Sequence, residues 1–146
     1  MKNIITHTIR YEHSPEAVWD YLTKSELLAQ WLMPNDFQPI AGYEFNFKVN
    51  PMPAYDFDGI VYCKVLEIEP FKKLTYSWKG GPEKGKINLD TIVEWTLTPK
   101  DGGTELLLEH RGFKDVNLSI FSIMDAGWLK NMKEVATLLN TQNAGK

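Results

Sequence analysis

The chain has 146 residues, the size of one domain, with 43% apolar and 24% charged residues. That balance excludes a disordered chain and allows a substantial core without disulfide staples. The net charge of -3 is spread along the sequence and the largest basic cluster is the Lys72-Lys73 pair, which argues against nucleic acid as a partner.

Met1 to His7 holds no apolar stretch long enough for a signal peptide, and no segment approaches the length of a membrane span. A soluble, cytoplasmic protein is expected. Residues 4 to 12 read as a strand, with Ile5, His7, Ile9 and Tyr11 on one side and Thr6, Thr8, Arg10 and Glu12 on the other. Ser14-Pro15-Glu16 reads as a helix start: a capping hydroxyl, a proline suited to the first turn, and an acid at the positive end of the dipole. Thr23-Lys24-Ser25-Glu26 predicts a capping box for a second short helix, whose Leu27, Leu28 and Trp31 share a face and which Pro34 ends.

From Tyr43 to Asn50 the residues Tyr43, Phe45, Phe47 and Val49 alternate with polar ones, the mark of a half-buried strand with an aromatic inner face. After Pro51-Met52-Pro53 a strand from about Asp58 to Glu69 is apolar on both parities, which points to a bulge and leaves its inner side open. Cys63, the only cysteine, lies in this strand and reads as a buried structural thiol. Leu74, Tyr76 and Trp78 mark the next strand. Leu89, Thr91, Val93, Trp95 and Leu97 mark another, and Pro99 to Gly103 predicts a hairpin into a strand from Thr104 to Arg111. Such a succession implies an antiparallel meander.

After a loop over residues 112 to 117 the period becomes helical. Leu129, Met132, Ala136 and Leu139 form a stripe, with Trp128 and Val135 beside it, and the sheet is the surface large enough to bury it. Gly127 costs about 1 kcal/mol in a helix interior relative to alanine, so it is expected at the helix start or at a close approach to the sheet. Asn140 to Lys146 reads as a polar, fraying tail. One domain over residues 1 to 146, with an ordered core from about residue 3 to 141, accounts for the whole chain.

Little in the sequence points to catalysis. Gly80-Gly81-Pro82-Glu83-Lys84-Gly85-Lys86-Ile87 begins like a phosphate-binding loop, but Ile87 stands where the magnesium-holding hydroxyl belongs and the segment lies between strands. His7, His13 and His110 are far apart and lack a cysteine partner, so no metal site is expected; nor is a cofactor. No G-x-S-x-G elbow occurs. Glu94, Glu105, Glu109 and Arg111 read as outer-face charge pairs.

The abundance of rings and thioethers stands out, Met33 and Met124 included, because such side chains suit an adaptable apolar cavity. Trp31, Phe45, Phe47, Tyr62, Trp78, Trp95, Trp128 and Met132 are the candidate ligand contacts. His110, on the inner parity of its strand, is either a hydrogen-bonded core histidine or a polar anchor in the pocket. With Tyr62 it is also a candidate proton-transfer group.

The order of elements resembles the helix-grip fold of the START and birch-pollen-allergen (SRPBCC) superfamily. More narrowly it resembles the activator of heat-shock-protein-90 ATPase homologue family. The resemblance is carried by Ser14-Pro15-Glu16-Ala17-Val18-Trp19, Leu22-Thr23, Leu28-Ala29-Gln30-Trp31, Gly42, Val65-Leu66-Glu67-Ile68-Glu69-Pro70, Leu74-Thr75-Tyr76-Ser77-Trp78, Gly103-Thr104-Glu105-Leu106, His110-Arg111-Gly112-Phe113 and Gly127-Trp128. It implies an α+β fold in which a curved antiparallel β-sheet, two short helices and a long C-terminal helix enclose a hydrophobic cavity. A departure is the stretch from Pro51 to Asp58, which falls at the pocket mouth.

The resemblance implies a carrier or sensor for a small hydrophobic molecule, lipid or polyketide-like, or a cyclase- or hydrolase-like enzyme in the same cavity. A chaperone partner has weaker support, since 146 residues leave no room for a second, chaperone-binding domain. A monomer or weak homodimer is expected.

Overall fold

Six antiparallel strands form one curved sheet, in the spatial order β1-β6-β5-β4-β3-β2. The computed structural model of the chain describes residues 4–144, with side chains described through Thr141. The strands are β1 (Ile4–Tyr11), β2 (Glu44–Lys48), β3 (Ile60–Glu69), β4 (Lys73–Gly80), β5 (Leu89–Lys100) and β6 (Gly103–Arg111). Two short helices, α1 (Pro15–Thr23) and α2 (Ser25–Trp31), fill the crossover from one edge strand to the other, and a long helix, α3 (Leu118–Ala144), follows the sheet. None of the described helices is long and apolar enough to cross a membrane.

Alternation decides which face is buried. Ile5, Tyr11, Phe45, Phe47, Leu74, Tyr76, Trp78, Leu89, Val93, Trp95, Leu97, Leu106 and Leu108 all turn inward and form the core with the buried faces of the helices. In β3 the register slips by one residue between Val65 and Glu67, the bulge that the double parity foreshadows. Val61, Cys63 and Val65 are therefore buried before the slip, and Ile68 packs on the core after it. The β5–β6 hairpin turns through Asp101 and Gly102, both at positive φ (51° and 81°), the backbone that a tight two-residue hairpin requires.

Four local expectations need correction. Ser14 caps α1 by accepting from the Ala17 N–H, but Thr23 does not cap α2. Only Lys24 separates the two helices, so Thr23 is still helical and its hydroxyl donates back to the Trp19 carbonyl at 2.8 Å. The last helix starts at Leu118, directly after the loop as expected, but its buried stripe is Trp128, Met132, Val135 and Leu139, with Leu129 and Ala136 only half-buried. Gly127 is thus mid-helix, and a Cβ added there would meet nothing within 4 Å, so neither a helix start nor a close approach explains it. The polar tail expected from Asn140 stays helical through Ala144; Met1 to Asn3, Gly145 and Lys146 lie outside the described residues.

Candidate functional site: an apolar cavity beneath the terminal helix

Most of the aromatic wealth goes into a continuous ring-packed core. Phe37, Phe45, Phe47 and Tyr76 meet edge to face or tilted, and Phe47 reaches Trp78 at 5.3 Å between centroids. Trp78 contacts Trp128 of α3 at 5.2 Å, Trp128 contacts Trp95 at 5.5 Å, and Trp95 contacts Trp31 at 5.9 Å. Offset and edge contacts of this type are worth about 0.5 to 1.5 kcal/mol each beyond area burial. Several polar tips are matched: Trp95 Nε1–H donates to Tyr76 Oη, Trp31 Nε1–H to the Tyr21 carbonyl, and Tyr11 Oη–H to the Met132 carbonyl. Burial pushes the Tyr11 and Tyr76 phenols well up, which keeps them neutral.

His110 is completely buried and belongs to this core. The Trp128 indole can only donate, and it does so to His110 Nδ1 at 3.0 Å, which places the imidazole proton on Nε2. Nε2–H then donates to Thr91 Oγ1 at 2.7 Å, and the Thr91 hydroxyl donates onward to the Trp78 carbonyl at 2.7 Å. Desolvation lowers the His110 pKa to about 3, so the ring is a neutral strut between β5, β6 and α3.

In front of that core lies a cavity of about 340 Å³. Its floor is Val61, Trp78, Gly80 and Leu89 of β3, β4 and β5, and Leu32 and Met33, just after α2, close one side. Ile120, Ile123 and Met124, from the first two turns of α3, form the roof. Val49, Met52, Tyr55 and Phe57 frame the mouth. Two carboxamides, Asn88 and Asn131, are the polar side chains of the wall, and the Tyr55 phenol is its sole titratable group among the described residues.

The mouth is a built loop. Met52 and Phe57 exchange both backbone hydrogen bonds, at 2.8 and 3.2 Å, around a 3-10 turn over Pro53–Tyr55. The Asp58 N–H donates to the Gly81 carbonyl at 2.8 Å, tying the loop to the β4–β5 connection. The roof is anchored to that connection too, because Asn117 Nδ2–H donates to the Asn88 carbonyl at 2.8 Å and Phe113 packs on Phe121. His7 Nε2 lies 2.7 Å from Asp125 Oδ1, which fastens the same stretch of α3 to β1. The rim is nonetheless wet: Val49, Met52, Tyr55 and Ile123 are between 37% and 49% exposed, an apolar collar open to solvent.

Of the nine residues nominated from the sequence, Trp78 alone lines this cavity. Trp31, Phe45, Phe47, Trp95, His110, Trp128 and Met132 stand behind it in the core: Trp31, Trp95, Trp128 and His110 are linked by ring and hydrogen-bond contacts, Phe45 and Phe47 join them through Trp78, and Met132 is buried in the same cluster. Tyr62 lies on the opposite face of the sheet, where its hydroxyl donates to Asp58 Oδ2 at 3.1 Å, because Val61 and Cys63 take the inward parity of β3. Neither group nominated for proton transfer therefore reaches the cavity. Glu94 does pair with Arg111 at 3.3 Å and Lys100 with Glu105 at 3.0 Å, on the outer face as expected. Not nominated as contacts were the side chains of the mouth loop, although its position at the mouth was expected, and those of the roof, although Met124 was noted among the cavity-suited thioethers. Ile120, Ile123 and Met124 carried a legible signal in their i, i+3, i+4 spacing, whereas Met52, Tyr55 and Phe57 sit in a proline-rich loop without periodicity.

Comparison with solved structures places this architecture among known ones. Protein MLL2253 from Mesorhizobium loti is 31% identical, with a TM-score of 0.84 over 94% of this chain and 97% of that one. DynU16, a protein of the dynemicin biosynthetic locus, superposes with a TM-score of 0.78 at 21% identity, over 97% of this chain and 49% of that one. The Aha1 dimer from Colwellia psychrerythraea does so at 0.76 and 18% identity, over 93% and 95%. At these last two identities the likeness speaks for the helix-grip fold alone. No curated protein matches the sequence. The family described as Activator of Hsp90 ATPase homolog 1-like protein matches residues 12–140, and the chain belongs to that family.

Proposed function

We propose that the chain is a non-catalytic binding protein, a carrier or sensor, for one small apolar or aromatic molecule held in this cavity. The observation that carries the reading is the wall itself: apolar side chains on every side, two carboxamides, and no carboxylate, imidazole, amine or thiol among the described lining residues. Such a wall can hold a ring system by burial, yet it has no pair of titratable groups to move protons. Its volume of about 340 Å³ is at the lower end of the roughly 300 to 1,000 Å³ of small-molecule sites, which favours a fused-ring or single-chain molecule over a two-chain lipid. The exposed apolar collar supports the same reading, since a surface of this kind is normally covered by something.

Titration with the neutral fluorescent probe N-phenyl-1-naphthylamine tests it. Saturable one-site binding is expected, and Met124→Glu, which puts a charge in the roof, weakens it at least about 10-fold. Tyr62→Phe, on the opposite face, leaves it unchanged. Equal binding by all three proteins would place the probe elsewhere and remove the cavity from the argument.

A further inference from the structure

We propose that the molecule recognised by this cavity is neutral and carries one hydroxyl or carbonyl group, which hydrogen-bonds to the side chain of Asn131. The proposal rests on the reading of the cavity as a ligand site and adds what that site selects.

Among the described residues, the wall holds no charged side chain. An ionised ligand head inside it would lose its hydration with no counter-charge in return, a cost that burial of the apolar remainder does not offset. Neutral polar groups face a different balance, because the wall contains an unused partner for them. Asn131 lines the cavity from α3, is half-buried, and its carboxamide has no hydrogen-bond partner among the described residues. The buried Asn117 and the part-buried Asn35 carboxamides, by contrast, are engaged by backbone groups on both their nitrogen and oxygen atoms. A carboxamide offers donors and an acceptor together, so it can satisfy a hydroxyl in either direction or a carbonyl through its N–H.

Space is available for that approach. Ile120, Met124, Gly127 and Asn131 fall on one stripe of α3 at helical spacing, and Ile120, Met124 and Asn131 all line the cavity. Gly127 sits one turn before Asn131, and a Cβ added there would meet nothing within 4 Å. The stripe therefore has a gap beside its polar member, with apolar side chains beyond it. A flat molecule with its rings against Ile120, Met124 and Trp78 brings a polar edge toward the carboxamide.

Competition against N-phenyl-1-naphthylamine with naphthalene, 2-naphthol and 2-naphthoate at neutral pH tests the proposal, on the natural protein and on Asn131→Leu. Expected is a preference for 2-naphthol over naphthalene of about 3- to 10-fold, the range of one neutral hydrogen bond, with 2-naphthoate weakest. Asn131→Leu should bring the naphthol to naphthalene ratio to about one while naphthalene itself still binds; Asn131→Ala, a strong helix former, gives the same loss of preference should the leucine variant fold poorly. Naphthalene and 2-naphthol binding equally to the natural protein, a preference that survives in both variants, or 2-naphthoate binding as tightly as 2-naphthol would each overturn the anchor and leave the cavity as a ligand site. Failure of naphthalene and of the fluorescent probe to bind at all overturns the ligand-site reading and the proposal together.

Discussion

His110 shows how a single residue can look chemical and be structural. Protonation would place a second N–H on Nδ1, directly facing the Trp128 indole N–H that now donates to it, so a bond would become a donor-donor clash inside the core. The folded-state pKa of about 3 lies below the ordinary value of 6.5, which makes the sign definite. The stabilisation is complete above about pH 6.5 and is lost as pH falls toward 3, at up to about 1.4 kcal/mol per pH unit. Urea unfolding from pH 7 to pH 4 should therefore show a steeper loss for the natural protein than for His110→Gln, which has nothing to protonate. Parallel slopes would mean that carboxylates alone set the acid limit. The inward parity of His110 was legible in the sequence of β6; its partners were not, since Trp128 and Thr91 come from α3 and β5, 18 and 19 residues away.

Among the elements, α3 carries the most consequence for the site, because its first turns roof the cavity and its middle seals the core. Gly127 weakens it where no backbone or side chain demands a glycine. Gly127→Ala is expected to raise the unfolding free energy by about 1 kcal/mol, read from the urea midpoint at unchanged slope. A loss of stability instead would show that the helix relies on a bend at this position. The strands were read well in sequence because period two tolerates no drift: one residue of slip reverses every side chain, so β1, β5 and β6 could be assigned face by face. The same rule made β3 ambiguous, since its bulge changes parity midway and only the pairing with β4 shows where. The first turns of α3 were harder to assign by face. Leu118-Ser119-Ile120-Phe121-Ser122-Ile123 is apolar around much of the wheel, facing core, cavity and solvent in turn, so the spacing of Ile120, Ile123 and Met124 did not stand out from the apolar residues around it.

At the scale of the whole molecule, the antiparallel sheet gripped by a terminal helix followed from element order, and a cavity from the resemblance that order carries, whereas the residues that line it did not. Aromatic abundance pointed correctly to an aromatic-rich interior, but the largest rings went where packing is tightest, and the space was left to Leu32, Met33, Ile120 and Met124 and to a loop whose position only tertiary contacts fix. Trp78 belongs to both regions. It is the end of a relay of four indoles, Trp78, Trp128, Trp95 and Trp31, whose neighbours stand 5.2 to 5.9 Å apart, while Trp19 packs separately on Phe71. At such separations excitation migrates between the rings faster than it is emitted. A non-fluorescent quencher seated against Trp78 should thus darken the relay as a group, removing well over the one-fifth of emission that one of the five tryptophans would account for. Steady-state quenching at saturation measures this directly, and a loss confined to one-fifth would show that the relay is broken. Replacing Trp78 by phenylalanine should leave three coupled indoles still emitting and largely blind to the occupant: among the described residues, that one ring is the window through which the indoles see the cavity.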